Sequence, residues 1–428
     1  MFYSSKKRLF ENIVFSGLIL LVSVSFLMVF DWRGNLTDTF NVEKGYFYAL
    51  PLFFVLMVFA HGYERQDKSL KTYISECVFG RDIPLEKRKY WADYARVIAL
   101  AGVILTHSCS SQIGEEAPSW RIMLLKLCET FGLVCNPLLI MLSGALLLSS
   151  KKEISIGKFY LGRLKKVFLP FFVYYSLLLC MSETVDLKDF SSILAGVKQI
   201  FAGATGIAPH YWIIYIFLGL YITAPFMQAM VKAMSDVQIK WLAGVIILSE
   251  FITRYLSYTG LTFGISLDFA GWLGVFVLGY IVAERREAIS PYFFIISGAI
   301  AFIACAGVTI FAYDYRSLLF NTAPPMVLLS AGIISLLINL EDYFKKRKHS
   351  ILVTLSKYSF EMLLIHWHIV FVIVMGKFGI QPLRFGCVGG ILVTLIASLV
   401  MCYLSGFIAE NTIIISVRWL FSKKKRVS

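Results

Sequence analysis

Twelve apolar runs recur along this chain, at about residues 12–30, 46–62, 91–109, 123–149, 167–182, 210–231, 241–256, 266–283, 291–313, 323–340, 351–375 and 385–410. Most are close to the ~20 residues a helix needs to cross a bilayer, with 46–62 and 167–182 the weakest. With 58% hydrophobic residues, 16% charged and a mean hydropathy of +0.73, the chain cannot hide its apolar surface in a water-soluble core. The alternation of a barrel strand is absent, and each run is long enough to satisfy its own backbone in lipid. The expected fold is therefore all-α, a polytopic transmembrane helical bundle of about 12 spans.

The net charge of +14 raises the question of nucleic acid, and the distribution of the basic residues answers it. With the N-terminus placed in the cytosol, Lys and Arg favour the cytosolic segments by roughly three to one, which is the positive-inside pattern. An even number of spans then leaves both termini cytosolic in a multi-pass cell membrane (inner membrane) protein. The lipid bilayer accounts for the charge, so no nucleic-acid partner is needed, and the tail SKKKR reads as a membrane-surface stop. The opening KKRLFENIVFSGLILLVSVSFLMVF has an apolar run too long for a signal peptide and no small-x-small site, so a retained anchor is expected. Eight cysteines without a Cys-x-x-Cys pair argue against a disulfide framework and against zinc. Asn35-Leu36-Thr37 forms a glycosylation triplet that matters only in a eukaryotic secretory pathway.

Residues 63–90, the longest strongly charged stretch, divide the chain. Residues 1–88 read as a two-helix membrane segment with a charged linker, 89–412 as a ten-helix core and 413–428 as a basic cytosolic tail. Later loops are too short to hold a domain, so the chemistry belongs to the bundle or its two faces.

Within YWADYARVIALAGVILTHS, Arg96 and His107 are eleven residues apart, and eleven steps of 100° return almost to the same direction. Asp93 lies on the same stripe, about 40° from His107. Charges inside a membrane helix are costly and mark a protein interior or a wet path. A rise of 1.5 Å per residue separates Arg96 from His107 by roughly 16 Å, about half the hydrocarbon thickness. A second basic cluster, Lys151, Lys152, Lys158, Arg163, Lys165 and Lys166, precedes Pro170. It reads either as positive-inside anchoring or as a clamp for the phosphates of a cytosolic nucleotide-bearing molecule.

Together these segments resemble the acyltransferase 3 family of membrane acyltransferases, over roughly residues 89 to 410. The Arg-x10-His spacing of Arg96 and His107 carries the resemblance, with Ser143-Gly144, Arg163-Leu-Lys-Lys166, the segment from His210 through Trp212 and Tyr221 to Pro225, GWLGVFVLGYIV, and YSFEMLLIHWH with His366. Lys166, Ile213 and Leu363 stand where the family commonly has Arg, Phe and Tyr. The match is closer to members without a fused hydrolase domain, such as those acetylating surface polysaccharides, and it says nothing about the first two helices.

The resemblance implies transfer of an acyl group, usually acetyl from cytosolic acetyl-CoA, to a hydroxyl of a carbohydrate or glycolipid acceptor at the outer face. Arg163, Lys165, Lys166 and Arg96 would meet the acyl-CoA, and His107, with Arg96 and Asp93, would carry catalysis. His107 would act as general base or hold the acyl group itself; a buried histidine bonded to a backbone carbonyl is the plain alternative. Arg96 would pair with Asp93, contact the donor, or both. His210, Trp212 and His366 are the acceptor-side residues, although His210 beside two aromatics also suits an interfacial belt. Asp268, Glu115 and Glu116 could orient His107; Glu250 and Arg254 suit an internal pair, and Ser143 helix packing. His368 suits a contact between helices, and no ligand spacing calls for a metal. The competing classes are a transporter or flippase and a degenerate acyl-CoA-binding sensor.

Overall fold

The computed structural model describes residues 2–31, 44–80, 88–150, 155–181, 184–186, 188–259, 261, 271–346 and 350–422, and no strand forms among them. Helices α1 (Phe2–Asp31), α2 (Lys44–Arg65) and α3 (Leu70–Phe79) precede α4 (Tyr90–Ser110), α5 (Ser119–Gly132) and α6 (Cys135–Leu147). Then come α7 (Ile156–Arg163), α8 (Leu169–Met181), α9 (Phe190–Ala202), α10 (Trp212–Ala233), α11 (Asp236–Tyr255), α12 (Trp272–Glu284) and α13 (Pro291–Phe311). The chain continues through α14 (Pro324–Asn339), α15 (Glu341–Lys345), α16 (Ser350–Lys357), α17 (Ser359–His368), α18 (Cys387–Ala409) and α19 (Ile415–Ser422).

Among the described residues, six stretches are long and apolar enough to cross a membrane: Lys6–Phe26, Ser119–Leu147, Pro209–Ala233, Pro291–Phe311, Ser359–Lys377 and Cys387–Phe421. A seventh arises if Tyr313–Leu319 and Pro324–Asn339, bent by 63°, are taken as one. The described parts of the remaining apolar runs are also helical, in α2, α4, α8, α11 and α12. Large side chains such as Ile296, Ile300, Ile303 and Phe311 of α13 and Val388, Leu392 and Ile396 of α18 are exposed. Water would penalise such surfaces, whereas lipid tails would not.

Helix ends gather by charge. Lys89 pairs with Glu284 (3.5 Å), Arg285 with Asp236 (2.8 Å), and Arg286 with Asn339, so the start of α4 lies with the ends of α12 and α14. At the other end of α4, Tyr313 donates to Glu129, and Ser111 lies against Met375.

Two departures from the sequence expectation bear on the site. The 351–375 run is split at Tyr358, so Ser356 and Lys357 belong to a separate short helix, α16, ahead of α17. The connection after α8 contains α9, started by Asp189, whose carboxylate accepts from the Ser191 and Ser192 N–H groups at 2.9 and 3.2 Å. In the core, α6 and α12 cross at Gly144 and Gly279; a Cβ on either would collide with a carbonyl of the opposite helix, that of Phe276 or Met141. Small residues let the backbones meet, which is the packing expected beside Ser143.

Candidate active site

The Arg96 end of the α4 stripe is built around one buried carboxylate. Asp93 accepts from Arg96 Nη1 (2.9 Å) and Ser356 Oγ (2.5 Å) on one oxygen and from Arg88 Nε (2.8 Å) on the other. Arg96 also donates to Ser356 Oγ at 3.2 Å. The ion pair expected from the i,i+3 spacing is thus present, extended by Arg88, five residues before Asp93, and by Ser356, which tertiary structure brings in. Glu341 accepts from the Tyr90 and Trp91 N–H groups (3.1 and 2.7 Å), so the first turn of α4 already has its anion. Beside it opens a cavity of about 340 Å³ lined by Arg88, Lys89, Arg96, Ser356 and Lys357 together with Asp93. Four cations against one carboxylate suit an anion with several phosphates.

Arg163 approaches the same end from α7. Its guanidinium lies over the Tyr221 ring (5.7 Å) and the Phe159 ring (5.5 Å), at a cavity of about 330 Å³ walled by Phe168, Phe171, Tyr215 and Tyr221. The Tyr221 hydroxyl is 3.4 Å from Ser143 Oγ and within electrostatic range of both Arg163 and Arg96. Beyond Arg163 the helix widens into a π turn, Leu164–Phe168, whose extra residue per turn shifts the register. Lys165 is half-buried and Lys166 exposed, so of the three basic candidates Arg163 is the one over Tyr221. Lys158 is exposed, and Lys151 and Lys152 lie outside the described residues.

At the other end of the stripe three histidines meet from three helical segments. The His107 ring stacks on His366 (centroids 5.3 Å, 21° between planes) and takes Trp367 edge-on at 4.8 Å. His210 is 4.8 Å from His366 and parallel to Trp367 at 6.1 Å. His366 Nδ1 is 2.6 Å from the Leu363 carbonyl and His210 Nε2 is 2.9 Å from that of Leu364. A carbonyl only accepts, so these nitrogens carry the protons, leaving lone pairs on His366 Nε2 and His210 Nδ1. Both atoms are buried without a hydrogen-bond partner among the described residues. His107 is half-buried, and among the described residues it has no hydrogen-bonded carboxylate.

Glu115 and Glu116 are exposed, and Asp268 lies outside the described residues. His210, 6% exposed, is turned into the bundle, and the belt reading fails for it. Trp212 fits that reading instead: it is 37% exposed against Trp272 at 5.8 Å, away from the histidines. His368 is 6.2 Å from His210 and has a buried Nδ1 without a partner. Glu250 accepts from the Gly271 N–H, with the Arg254 charge in range, and Glu361 feels the charges of Glu410 and Arg418.

Sequence reasoning missed Arg88, Ser356, Lys357 and Trp367. It also passed over a second eleven-residue interval, from His210 to Tyr221, which puts an imidazole and a phenol on one stripe of Pro209–Ala233. At one end His210 and His107 share the His366 ring, and at the other Tyr221 feels the Arg96 charge, so the two intervals run in opposite chain directions. The two helices therefore place His with His and Tyr with Arg.

The acyltransferase 3 family model, an acyltransferase domain, matches residues 89–410 and leaves residues 1–88 outside. No curated protein and no solved structure matches the chain. Most of the chain lies within the family match, and the helices it covers include five of those able to cross a membrane. The chain belongs to the acyltransferase 3 family of membrane acyltransferases.

Proposed function

We propose that the protein is a membrane O-acyltransferase that takes an acyl group, acetyl first among them, from cytosolic acyl-CoA and places it on a hydroxyl of a cell-surface carbohydrate or glycolipid. The carrying observation is the separation of tasks along α4: cations around a cavity at the Arg96 end, unpartnered imidazole nitrogens at the His107 end. In this reading the chain crosses the cell membrane twelve times with both termini cytosolic, so the cation-lined end faces the donor. Arg88, Arg96, Lys89 and Lys357 hold its phosphates, and Arg163 with Tyr221 flanks the path of its arm.

At the far end the acceptor hydroxyl donates to a histidine lone pair, a role for which His366 Nε2 and His210 Nδ1 are already desolvated. His107 removes the proton of a second acceptor hydroxyl as that oxygen attacks the thioester carbonyl. The C–O bond forms, the C–S bond breaks, and the proton passes from His107 to the departing thiolate. Ester and free CoA thiol are the products. An imidazole suits this because it is neutral before the step and cationic only during it.

The test is incubation of the purified protein with labelled acetyl-CoA, together with mass spectrometry of envelope glycans from cells with and without the chain. Transfer of label and a lost glycan increment of roughly 42 mass units support acetyl, and roughly 100 would name succinyl. Donor binding with neither turnover nor a glycan change would make the chain a sensor.

A further inference from the structure

The segment outside the family match is bolted to the donor cavity by an unusual helix end. The last turn of an α-helix leaves its carbonyl oxygens without intrahelical partners. In α3 those of Cys77 and Val78 are taken by side chains of the acyltransferase core, and the Glu76 carbonyl, which already accepts from the Gly80 N–H at 3.1 Å, takes a core side chain as well. Lys357 Nζ donates to Glu76 O and Cys77 O, each at 2.6 Å, Tyr358 Oη donates to Cys77 O at 2.5 Å, and Tyr403 Oη to Val78 O at 2.8 Å. An ammonium is also the charge that a helix C-terminus favours. α3 is in turn seated by His61 of α2, which lies between Tyr73 Oη (2.8 Å) and Asn411 O (2.9 Å).

Lys357 is the last residue of α16, and Ser356 beside it donates to Asp93, the carboxylate that holds Arg96. Gly80, the residue that ends α3, lines the same cavity as Arg88, Arg96 and Lys357. A short chain of contacts therefore runs from a helix foreign to the family match to its first core helix: α3 carbonyls, Lys357, Ser356, Asp93, Arg96.

We propose that residues 70–80 are a working part of the donor site: the C-terminal end of α3 clamps Lys357, and through α16 sets the Ser356–Asp93–Arg96 geometry that receives the phosphates of an acyl-CoA. Lys357 is a positioning residue as well as a cavity wall, and Tyr403 is a positioning residue alone, since it does not line the cavity. The proposal rests on the donor reading above for its ligand, and on the contacts alone for its coupling.

The experiment measures CoA binding by calorimetry, and thermal unfolding, on the purified full-length chain and on Lys357→Met, Lys357→Arg, Tyr403→Phe and Arg96→Lys. The expected result is CoA affinity lowered about tenfold by Lys357→Met, restored by Lys357→Arg, and lowered by a smaller factor by Tyr403→Phe, whose hydroxyl acts only through α3. Unchanged affinity in both Lys357→Met and Tyr403→Phe, against a wild type that binds, overturns the clamp and leaves the donor reading intact. A wild type that binds no CoA fails the donor reading instead. The clamp is then decided by the Lys357→Met and Arg96→Lys unfolding cycle: non-additive midpoint shifts support it, and additive ones overturn it.

Discussion

The two ends of α4 hold polar groups in opposite ways. Around Arg96 the groups answer one another: Arg88, Arg96 and Ser356 all converge on Asp93, and Glu341 caps the helix start. Around His107 they do not, since among the described residues His366 Nε2, His210 Nδ1 and His368 Nδ1 are buried without partners. Buried polar atoms are normally hydrogen-bonded, so the exceptions need an explanation. A self-satisfied charge cluster builds a wall and sets a field, whereas a set of desolvated lone pairs is complete only when something donates to it. The Arg96 end is therefore read as preorganised for an anion, and the His107 end as waiting for a hydroxyl.

The comparison breaks first at His107. Replacing it by Ala should remove acyl transfer, a loss of about 10²–10⁴ for a general base, while donor binding at the far end survives. Labelled acetyl-CoA turnover and a CoA titration on one preparation read both quantities. Full retained activity would take His107 out of the mechanism and leave the histidine cluster as packing.

Next in size is Asp93→Ala. It strands the Arg88 and Arg96 guanidiniums around a lost counter-charge; both are half-buried, so the cost falls below the about 3–5 kcal/mol of a fully buried pair. The expected signs are a lowered unfolding midpoint in detergent and a reduced yield of folded protein, unlike His107→Ala, which leaves no charge behind. Equal stability in the two variants would mean that the ends do not differ as described.

Much of this contrast was legible in the chain. The helical class followed from the apolar runs, and the Arg96 to His107 interval with Asp93 beside it gave one whole face of the site. His210 and His366 were identifiable through the family resemblance, but their meeting with His107 was not, because three helices distant in sequence bring them together. Ser356 and Lys357 were hidden inside a run that looked continuous; only the break at Tyr358 makes them the end of a separate helix. Trp212 shows what a motif leaves out, since two residues after the buried His210 the chain has turned far enough to put it outward.

A smaller effect is expected from His366→Phe, which keeps a ring against His107 and deletes the Nε2 lone pair. Losing one hydrogen bond to the acceptor corresponds to about 1 kcal/mol, a several-fold rise in acceptor KM. The CoA affinity should not move, because His366 lies against His107, which is about 16 Å along α4 from Arg96. A shift in CoA affinity with unchanged acceptor KM would reassign His366 to the donor path.

The smallest effect tests the cationic end against its own motif. Arg163 and Lys166 occupy the two basic positions of one short sequence pattern, so a reading by motif alone gives them equal weight. The π turn between them separates their fates: Arg163 lies over Tyr221 beside an aromatic cavity, and Lys166 is exposed. Lys166→Gln should therefore change CoA affinity by less than about twofold, within the ±0.5 kcal/mol usual for a surface substitution. Arg163→Gln removes a guanidinium from an aromatic face and should cost more, about 0.5–2 kcal/mol. Measuring both by CoA titration decides whether the cations at this end act through geometry or through bulk charge. Equal losses that vanish together at high salt would favour bulk charge, because screening weakens exposed interactions far more than partly buried ones.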